Sequence, residues 1–434
     1  DGYDIISTID VYIQDIAHHA LLKQLEYYTA DHGCVVVMET KTGHIKAISN
    51  LGRAEDGSYY ETQNYAITES HEPGSTFKLV DLIAVLDDKK ADTSTVYDSK
   101  GGVIEYFGRK VKDSKPGGYG KISLAKGFEV SSNTVLVQSV YNNYKNNPKQ
   151  VVDRINSYGL NKPLGLPIKG EGKPIIPQPG TNRWSGVALP WMAFGYGLSV
   201  TPLQTLTLYN AVANNGVMVK PIFVSEIKEW NKTIKKYNTE VINPKICTQE
   251  TLNKVKAILE NVVKKGTGSK LYSKDFSMAG KTGTAQVGYK DKSKMYYASS
   301  FVGYFPANEP KYSCIIVVHK PNVAAGYYGA DVAGPVFKRI AQKIFTDSPS
   351  TNHVKNIDAK LVSQENSYNS YYKKVEKETK IVPNVKGMDG MDALALLENL
   401  GLKVKVIGMG RVKKQSLTSG QTFNKNQTII IELS

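Results

Sequence analysis

The chain has only three cysteines, Cys34, Cys247 and Cys314, in 434 residues. That count excludes a disulfide framework, and none of the three has zinc-site spacing. Cys34 and Cys314 sit in short β-like runs and read as buried free thiols. The seven histidines are scattered and no His-Glu-x-x-His occurs, so no metal or other cofactor is expected. No run approaches 18 apolar residues, so the sequence holds no transmembrane helix. None of these residues is expected to be a signal peptide either. The chain starts at Asp1 without an initiator methionine, and a longer protein with more sequence ahead of it is expected. Lys and Arg exceed Asp and Glu by 55 to 40, a net charge of +15. Such an excess suits an anionic partner. It is spread along the chain without a basic motif interleaved with aromatics, so nucleic acid is not the expected partner.

What is there is a core-forming composition, 41% hydrophobic. The length predicts two or three domains. Residues 7–28 carry a helical stripe, Ile9, Ile13, Ile16, Ala17, Ala20 and Leu21, with Ser7, Thr8 or Asp10 as the cap. Cys34–Met38 and His44–Ile48 read as strands joined by a Thr40–Gly43 turn. Leu124–Tyr141, Thr201–Asn214, Thr251–Lys264 and Ala333–Phe345 read as helices. Residues 160–182, rich in Gly and Pro, read as an irregular loop. Strands follow near Met278–Val287, Ser299–Phe305 and Tyr312–Val318. Strands early, helices in the middle and strands late predict an α+β fold whose antiparallel sheet is built from both ends. Residues 346–379, polar and without apolar periodicity, read as a linker. Beyond it, an amphipathic helix over Gly387–Leu400 and short strands ending at Leu433 predict a small module.

The most informative stretch is Ser75-Thr76-Phe77-Lys78. It follows Pro73-Gly74 and opens an apolar run from Phe77 to Leu86. A lysine there must be paired or lose its proton. On a helix, Ser75 and Lys78 share a face, and the helix N-terminus favours negative charge on the serine. Together these make an activated nucleophile. Ser-x-x-Lys also occurs at Ser123, Ser225 and Ser370, where it reads as a capping serine and a solvated lysine. Context separates Ser75 from those three.

Two further sets follow. Ser131-Ser132-Asn133 precedes an apolar helix and offers a hydroxyl to relay a proton and an amide to hold a carbonyl. Alone it reads as a helix cap. Lys281-Thr282-Gly283-Thr284 lies in a strand pattern. Gly283 permits close approach, and Lys281 and Thr282 offer a cation and a hydroxyl to an anion. Alone it reads as a turn.

The trio, in this order, is the motif set of penicillin-binding proteins and class A β-lactamases. Residues 1–345 resemble the transpeptidase domain of class B penicillin-binding proteins. The resemblance includes Asp4–Asp10, His71–Lys78, Arg183-Trp184, Phe194–Gln204, Ala279–Gln286 and Phe301–Pro306. Residues 380–434 resemble a PASTA module through Val382–Val385, Gly387, Leu400–Leu402, Gln415-Ser416 and Gly420. The resemblance implies an antiparallel sheet flanked by helices with an all-helical region, followed by the small module.

It also implies a peptidoglycan D,D-transpeptidase, target of β-lactams, serving septal cell-wall synthesis in cell division. Ser75 would be the nucleophile, Lys78 its base, kept neutral by apolar surroundings and by the field of Lys281. Ser131 would relay the proton, and Asn133, Lys281, Thr282, Gly283 and Thr284 would bind the stem peptide. Implied partners are D-Ala-D-Ala stem peptides, β-lactam antibiotics and a glycosyltransferase or divisome protein. The catalytic domain would stand on the periplasmic side of the cell membrane, held by an N-terminal anchor outside this sequence. The alternatives are a serine D,D-carboxypeptidase or β-lactamase, or a non-catalytic wall-binding scaffold. Class A β-lactamases use a Glu-x-x-Leu-Asn context, whereas Glu171 is followed by Gly172-Lys173-Pro174.

Overall fold

The computed structural model describes residues 2–230, 232–289, 291, 294–347 and 381–434. The chain separates into two compact units, with the division at Pro349/Ser350.

The first unit is built on a six-stranded antiparallel sheet in the order Ala279–Val287, Tyr296–Phe305, Tyr312–His319, His32–Glu39, Ile45–Arg53, Tyr59–Tyr60. Early and late segments meet where Cys314 pairs with Val37 and Val317 with Cys34. The sheet is therefore assembled from both ends of the sequence. Its central strands are apolar at nearly every position because both faces are covered. Val35, Val37, Cys314, Ile316 and Val318 face a core shared with helices Val11–Tyr28 and Gly334–Asp347. Val36, Met38, Ile315 and Val317 face the larger core under the helical region. Strand alternation sends neighbours to opposite faces, so a continuous apolar run marks a strand buried on both sides.

Three helices carry or support the site. Lys78–Asp87 is buried from Lys78 through Leu86, which the apolar run requires. Pro202–Ala213 is wholly buried and starts with a capping box in which Thr201 accepts from the Gln204 N–H and the Gln204 side chain returns to the Thr201 N–H. Asn133–Tyr144 packs across the first of these.

Two boundaries differ from expectation. The first helix begins at Val11, not residue 7. Asp10 accepts from the Tyr12 and Ile13 N–H groups, and Asp4–Ser7 instead pairs with Val224–Glu229. The helix expected over 124–141 is two helices, Leu124–Glu129 and Asn133–Tyr144. Between them Ser131 takes φ 58°, a left-handed conformation unfavourable for a residue with a side chain.

The second unit packs helix Gly390–Asn399 on a three-stranded sheet. Strand Thr428–Leu433 lies in the middle, parallel to Lys403–Ile407 and antiparallel to Val412–Gln415. Its own core includes Val382, Val385, Leu397, Ile429 and Ile431. Residues 348–379 of the expected linker lie outside the described residues, and Thr346 and Asp347 end the preceding helix. Among the described residues, no helix is long and apolar enough to cross a membrane.

Candidate active site

Gly74–Thr76 forms a single tight turn running into helix Lys78–Asp87. Ser75 lies in that turn, half-buried, and Lys78 opens the helix with no exposed surface. The turn is seated by close backbone approach. The Gly74 N–H donates to the Gly195 carbonyl at 3.1 Å, and Tyr209 Oη donates to the Thr76 carbonyl at 2.8 Å. Gly195 has φ 85°, and a Cβ there would fall 2.0 Å from the Gly74 oxygen. Only glycine fits both constraints. A Cβ at Gly283 would lie 2.9 Å from the Thr76 methyl and 2.2 Å from Ser300 Oγ. The edge strand Ala279–Val287 can thus lie directly against the Ser75 turn.

Lys78 Nζ donates to the Ser131 carbonyl at 2.9 Å, to Ser131 Oγ at 3.3 Å and to Asn133 Oδ1 at 2.6 Å. From the sheet side, Lys281 Nζ donates to Ser131 Oγ at 2.8 Å and to the Thr282 carbonyl at 2.9 Å. Lys281 is fully buried and stands 5.7 Å over the Phe128 ring. The left-handed turn at Ser131 thus places its hydroxyl between two buried lysines. Asn133 Nδ2 donates to the Lys112 carbonyl at 2.7 Å, which fixes the amide's orientation.

Burial pulls Lys78 down to about 7, against the upward pulls of Asp113 and Asp81. Burial, and after it Lys78, pushes Lys281 well below the usual lysine range. Of the two causes expected to keep Lys78 neutral, apolar surroundings and the field of Lys281, desolvation is the chief one. Asp81, buried one turn along the helix, is raised well above the carboxylate range by the same burial.

The structure brings together Ser75, Lys78, Ser131, Asn133, Lys281 and Gly283. Thr282 goes elsewhere. Side chains alternate along a strand, and the Thr282 hydroxyl pairs with Thr267 Oγ1 at 2.7 Å. Thr284 is the threonine that lines the open cleft, and its Oγ1 accepts from the Gly329 N–H at 3.0 Å. The cleft holds about 1060 Å³. Arg109, Lys110 and Lys112 line one part of it, and Trp191, Phe194, Tyr196, Tyr289, Tyr297 and Tyr327 another.

Asp113 was not singled out in the sequence. Its carboxylate accepts from Ser132 Oγ at 3.1 Å, the Thr134 N–H at 2.9 Å and Thr134 Oγ1 at 2.9 Å. It pins the residues on both sides of Asn133. A lone aspartate after Lys112 carries no sequence signal, because only the fold brings it to Ser132. Glu171 accepts from the N–H groups of Leu164, Gly165 and Leu166, so it braces its own loop.

Known proteins resemble the chain in the same regions. Residues 33–342 match the penicillin binding protein transpeptidase domain, and residues 380–434 the PASTA domain. Stage V sporulation protein D of Bacillus subtilis is 28% identical over 449 residues, covering 100% of this chain and 66% of the relative. The peptidoglycan D,D-transpeptidase FtsI of Buchnera aphidicola is 28% identical over 354 residues, covering 79% of this chain and 58% of the relative. The chain thus spans about two thirds or less of these relatives. Among solved structures, penicillin binding protein 3 of Mycobacterium tuberculosis superposes with a TM-score of 0.69 at 25% identity, covering 80% of this chain and 79% of that one. That protein has also been solved complexed with aztreonam.

Proposed function

The chain belongs to the penicillin-binding protein transpeptidase family, and we propose that it is a peptidoglycan D,D-transpeptidase acting through an acyl-enzyme on Ser75. The observation that carries this reading is the Ser131 hydroxyl held between Lys78 and Lys281 beside the Ser75 turn. Neutral Lys78 takes the Ser75 proton as Oγ attacks the carbonyl between two terminal D-alanines. The C–N bond breaks, and the departing D-alanine amine receives a proton through Ser131. Backbone N–H groups of Ser75 and Thr284 hold the oxyanion. Asn133 orients the substrate amide, and Lys281 with Thr284 forms the carboxylate end of the site. An amine from a neighbouring stem peptide then attacks the ester and returns the proton to Ser75.

This proposal includes the division into a catalytic domain, residues 1–345, a linker, 346–379, and a PASTA module, 380–434. It includes a septal role, a divisome or glycosyltransferase partner, and a membrane anchor that keeps the site on the periplasmic side. The relatives' printed names support the transpeptidase activity by analogy. β-Lactams, which present a strained amide and a carboxylate, would acylate Ser75 and stay. The commitment of Glu171 to its own loop disfavours the β-lactamase reading, which needs a carboxylate free to position water.

The test is intact-mass and peptide-mapping spectrometry after incubation with benzylpenicillin. A persistent adduct on Ser75 is expected. Rapid turnover without accumulation would favour a hydrolase, and neither adduct nor turnover would favour the scaffold.

A further inference from the structure

A hairpin borders the cleft, and its cations have no part in the reaction assigned to Ser75. Its strands, Val103–Tyr106 and Arg109–Lys112, pair antiparallel across the turn Phe107-Gly108. Val111 is 1% exposed and belongs to the core, and the Tyr106 ring packs on Tyr141 at 4.5 Å. Side chains alternate along a strand, so Lys110 and Lys112 take the outer face, where both are exposed. Arg109, also exposed, sits next to the turn. All three line the cleft.

The strand Arg109–Lys112 is an open edge. In an antiparallel ladder, hydrogen-bonded pairs alternate with pairs whose backbone groups point outward. The Asp113 N–H donates to the Gly102 carbonyl at 2.9 Å. That phase makes Val111 and Ile104 a bonded pair, and Lys112–Val103 and Lys110–Glu105 the outward ones. The Lys112 carbonyl accordingly accepts from Asn133 Nδ2 at 2.7 Å. Lys110 turns its own N–H and carbonyl to the same side. Among the described residues, neither has a hydrogen-bond partner.

The charges are open as well. Among the described residues, no carboxylate forms an ion pair with Arg109, Lys110 or Lys112. Glu105 stands opposite Lys110 in register but makes no such pair. Asp113 alone is acidic among the described residues lining the cleft, and its oxygens are occupied by Ser132 and Thr134. Several cations on one wall of a cleft, unmatched by free carboxylates, favour an anionic ligand group there.

The wall also has a definite place along the substrate. In the proposed reaction, Lys281 and Thr284 take the terminal carboxylate, and Asn133 holds the amide on the other side of the scissile carbonyl. The strand that touches Asn133 therefore meets what precedes the two D-alanines. We propose that Arg109, Lys110 and Lys112 select an acyl donor that carries a free carboxylate, not a carboxamide, ahead of its D-Ala-D-Ala end. The open edge at Lys110 is available to the backbone of the same peptide. This inference rests on the transpeptidase reading of Ser75 and names the class of stem peptide that the site prefers.

The test uses two penicillins with the same aliphatic side chain, one ending in a carboxylate and the other in a carboxamide. That side chain stands in for the peptide ahead of the D-alanines. The second-order rate of Ser75 acylation is read by mass spectrometry at about 0.05 M and about 0.5 M salt, because exposed charges are screened at the higher. The carboxylate form should react about three- to tenfold faster at low salt, and the difference should disappear at high salt. The combined variant Arg109→Gln, Lys110→Gln, Lys112→Gln should lose the low-salt preference. Each protein is scored by the ratio of the two probes, so a general loss of activity cancels. Lys23→Gln, at an exposed lysine outside the cleft, should keep the preference. Equal rates in the unaltered chain, or a preference that the combined variant retains, would overturn the inference and leave the Ser75 assignment standing. No adduct on Ser75 from either probe would overturn both.

Discussion

Lys281 Nζ reaches Ser131 Oγ at 2.8 Å across 150 residues of chain. That contact joins the edge strand to the short turn between two helices. On the other side of the same oxygen, 3.3 Å away, is Lys78 Nζ. A hydroxyl has one proton to give and two lone pairs to receive with. With Lys78 neutral, Ser131 can accept from Lys281 and turn its own proton towards Lys78. The arrangement links two buried lysines through one half-buried hydroxyl.

Acylation should therefore depend on the charge of Lys78. Only the neutral amine can take the Ser75 proton, and burial brings this lysine to about 7. Below that pH, the neutral fraction and the acylation rate should fall about tenfold per unit. The measurement is the second-order rate of Ser75 acylation by benzylpenicillin against pH. A rate flat from pH 5 to 8 would remove Lys78 as the base.

Ser131→Ala should lower acylation by roughly 10²–10⁴-fold, the range for a lost proton-transfer group. It should also destabilise the fold by about 1–3 kcal/mol, because the buried Lys281 amine loses an acceptor. Stopped-flow acylation and denaturant unfolding of the same protein read the two effects. Unchanged kinetics with reduced stability would make Ser131 a structural residue only.

Much of this was legible in the sequence, for physical reasons that can be named. The Phe77–Leu86 run forces a buried helix, and a lysine inside it forces either pairing or deprotonation. Cys34–Met38 and Tyr312–Val318 are apolar without alternation, as two-sided burial demands. Less could be read where geometry depends on one dihedral angle or on distant chain. The periodicity of Leu124–Tyr141 runs on through Ser131, although φ 58° there breaks the helix and aims the hydroxyl. Strand parity sends Thr282 to Thr267 and Thr284 to the cleft, but the motif letters do not show which. Asp113 has no local pattern at all, because only the path of the folded chain brings it to Ser132 and Thr134.

Gly195 offers a test of the turn that holds Ser75. A Cβ there would fall 2.0 Å from the Gly74 oxygen, at a φ of 85°. Gly195→Ala should cost about 1–2 kcal/mol for the left-handed backbone and about 1–3 kcal/mol for overpacking, and should slow acylation by displacing Ser75. Gly108→Ala is the matched control. Its φ is 74°, but nothing lies within 4 Å of the added Cβ, so only the backbone cost applies. The prediction fails if the two variants unfold at the same denaturant concentration and acylate alike.

Asp113 separates positioning from bulk stability. Its carboxylate accepts from Ser132 Oγ, Thr134 N–H and Thr134 Oγ1, and its charge pulls Lys78 upward. Asp113→Asn keeps the shape and removes the charge. Two effects should follow, with different signatures. The Ser131–Asn133 segment loses part of its anchor, so acylation at the pH optimum should fall about tenfold or more. Lys78 also loses a favourable neighbour for its protonated form, so its pKa should drop below about 7 and the acid limb of the rate profile should move to lower pH. A merely structural aspartate would reduce the rate without moving the limb. A limb that stays in place or moves towards higher pH would show that Asp113 does not act on Lys78 through its charge.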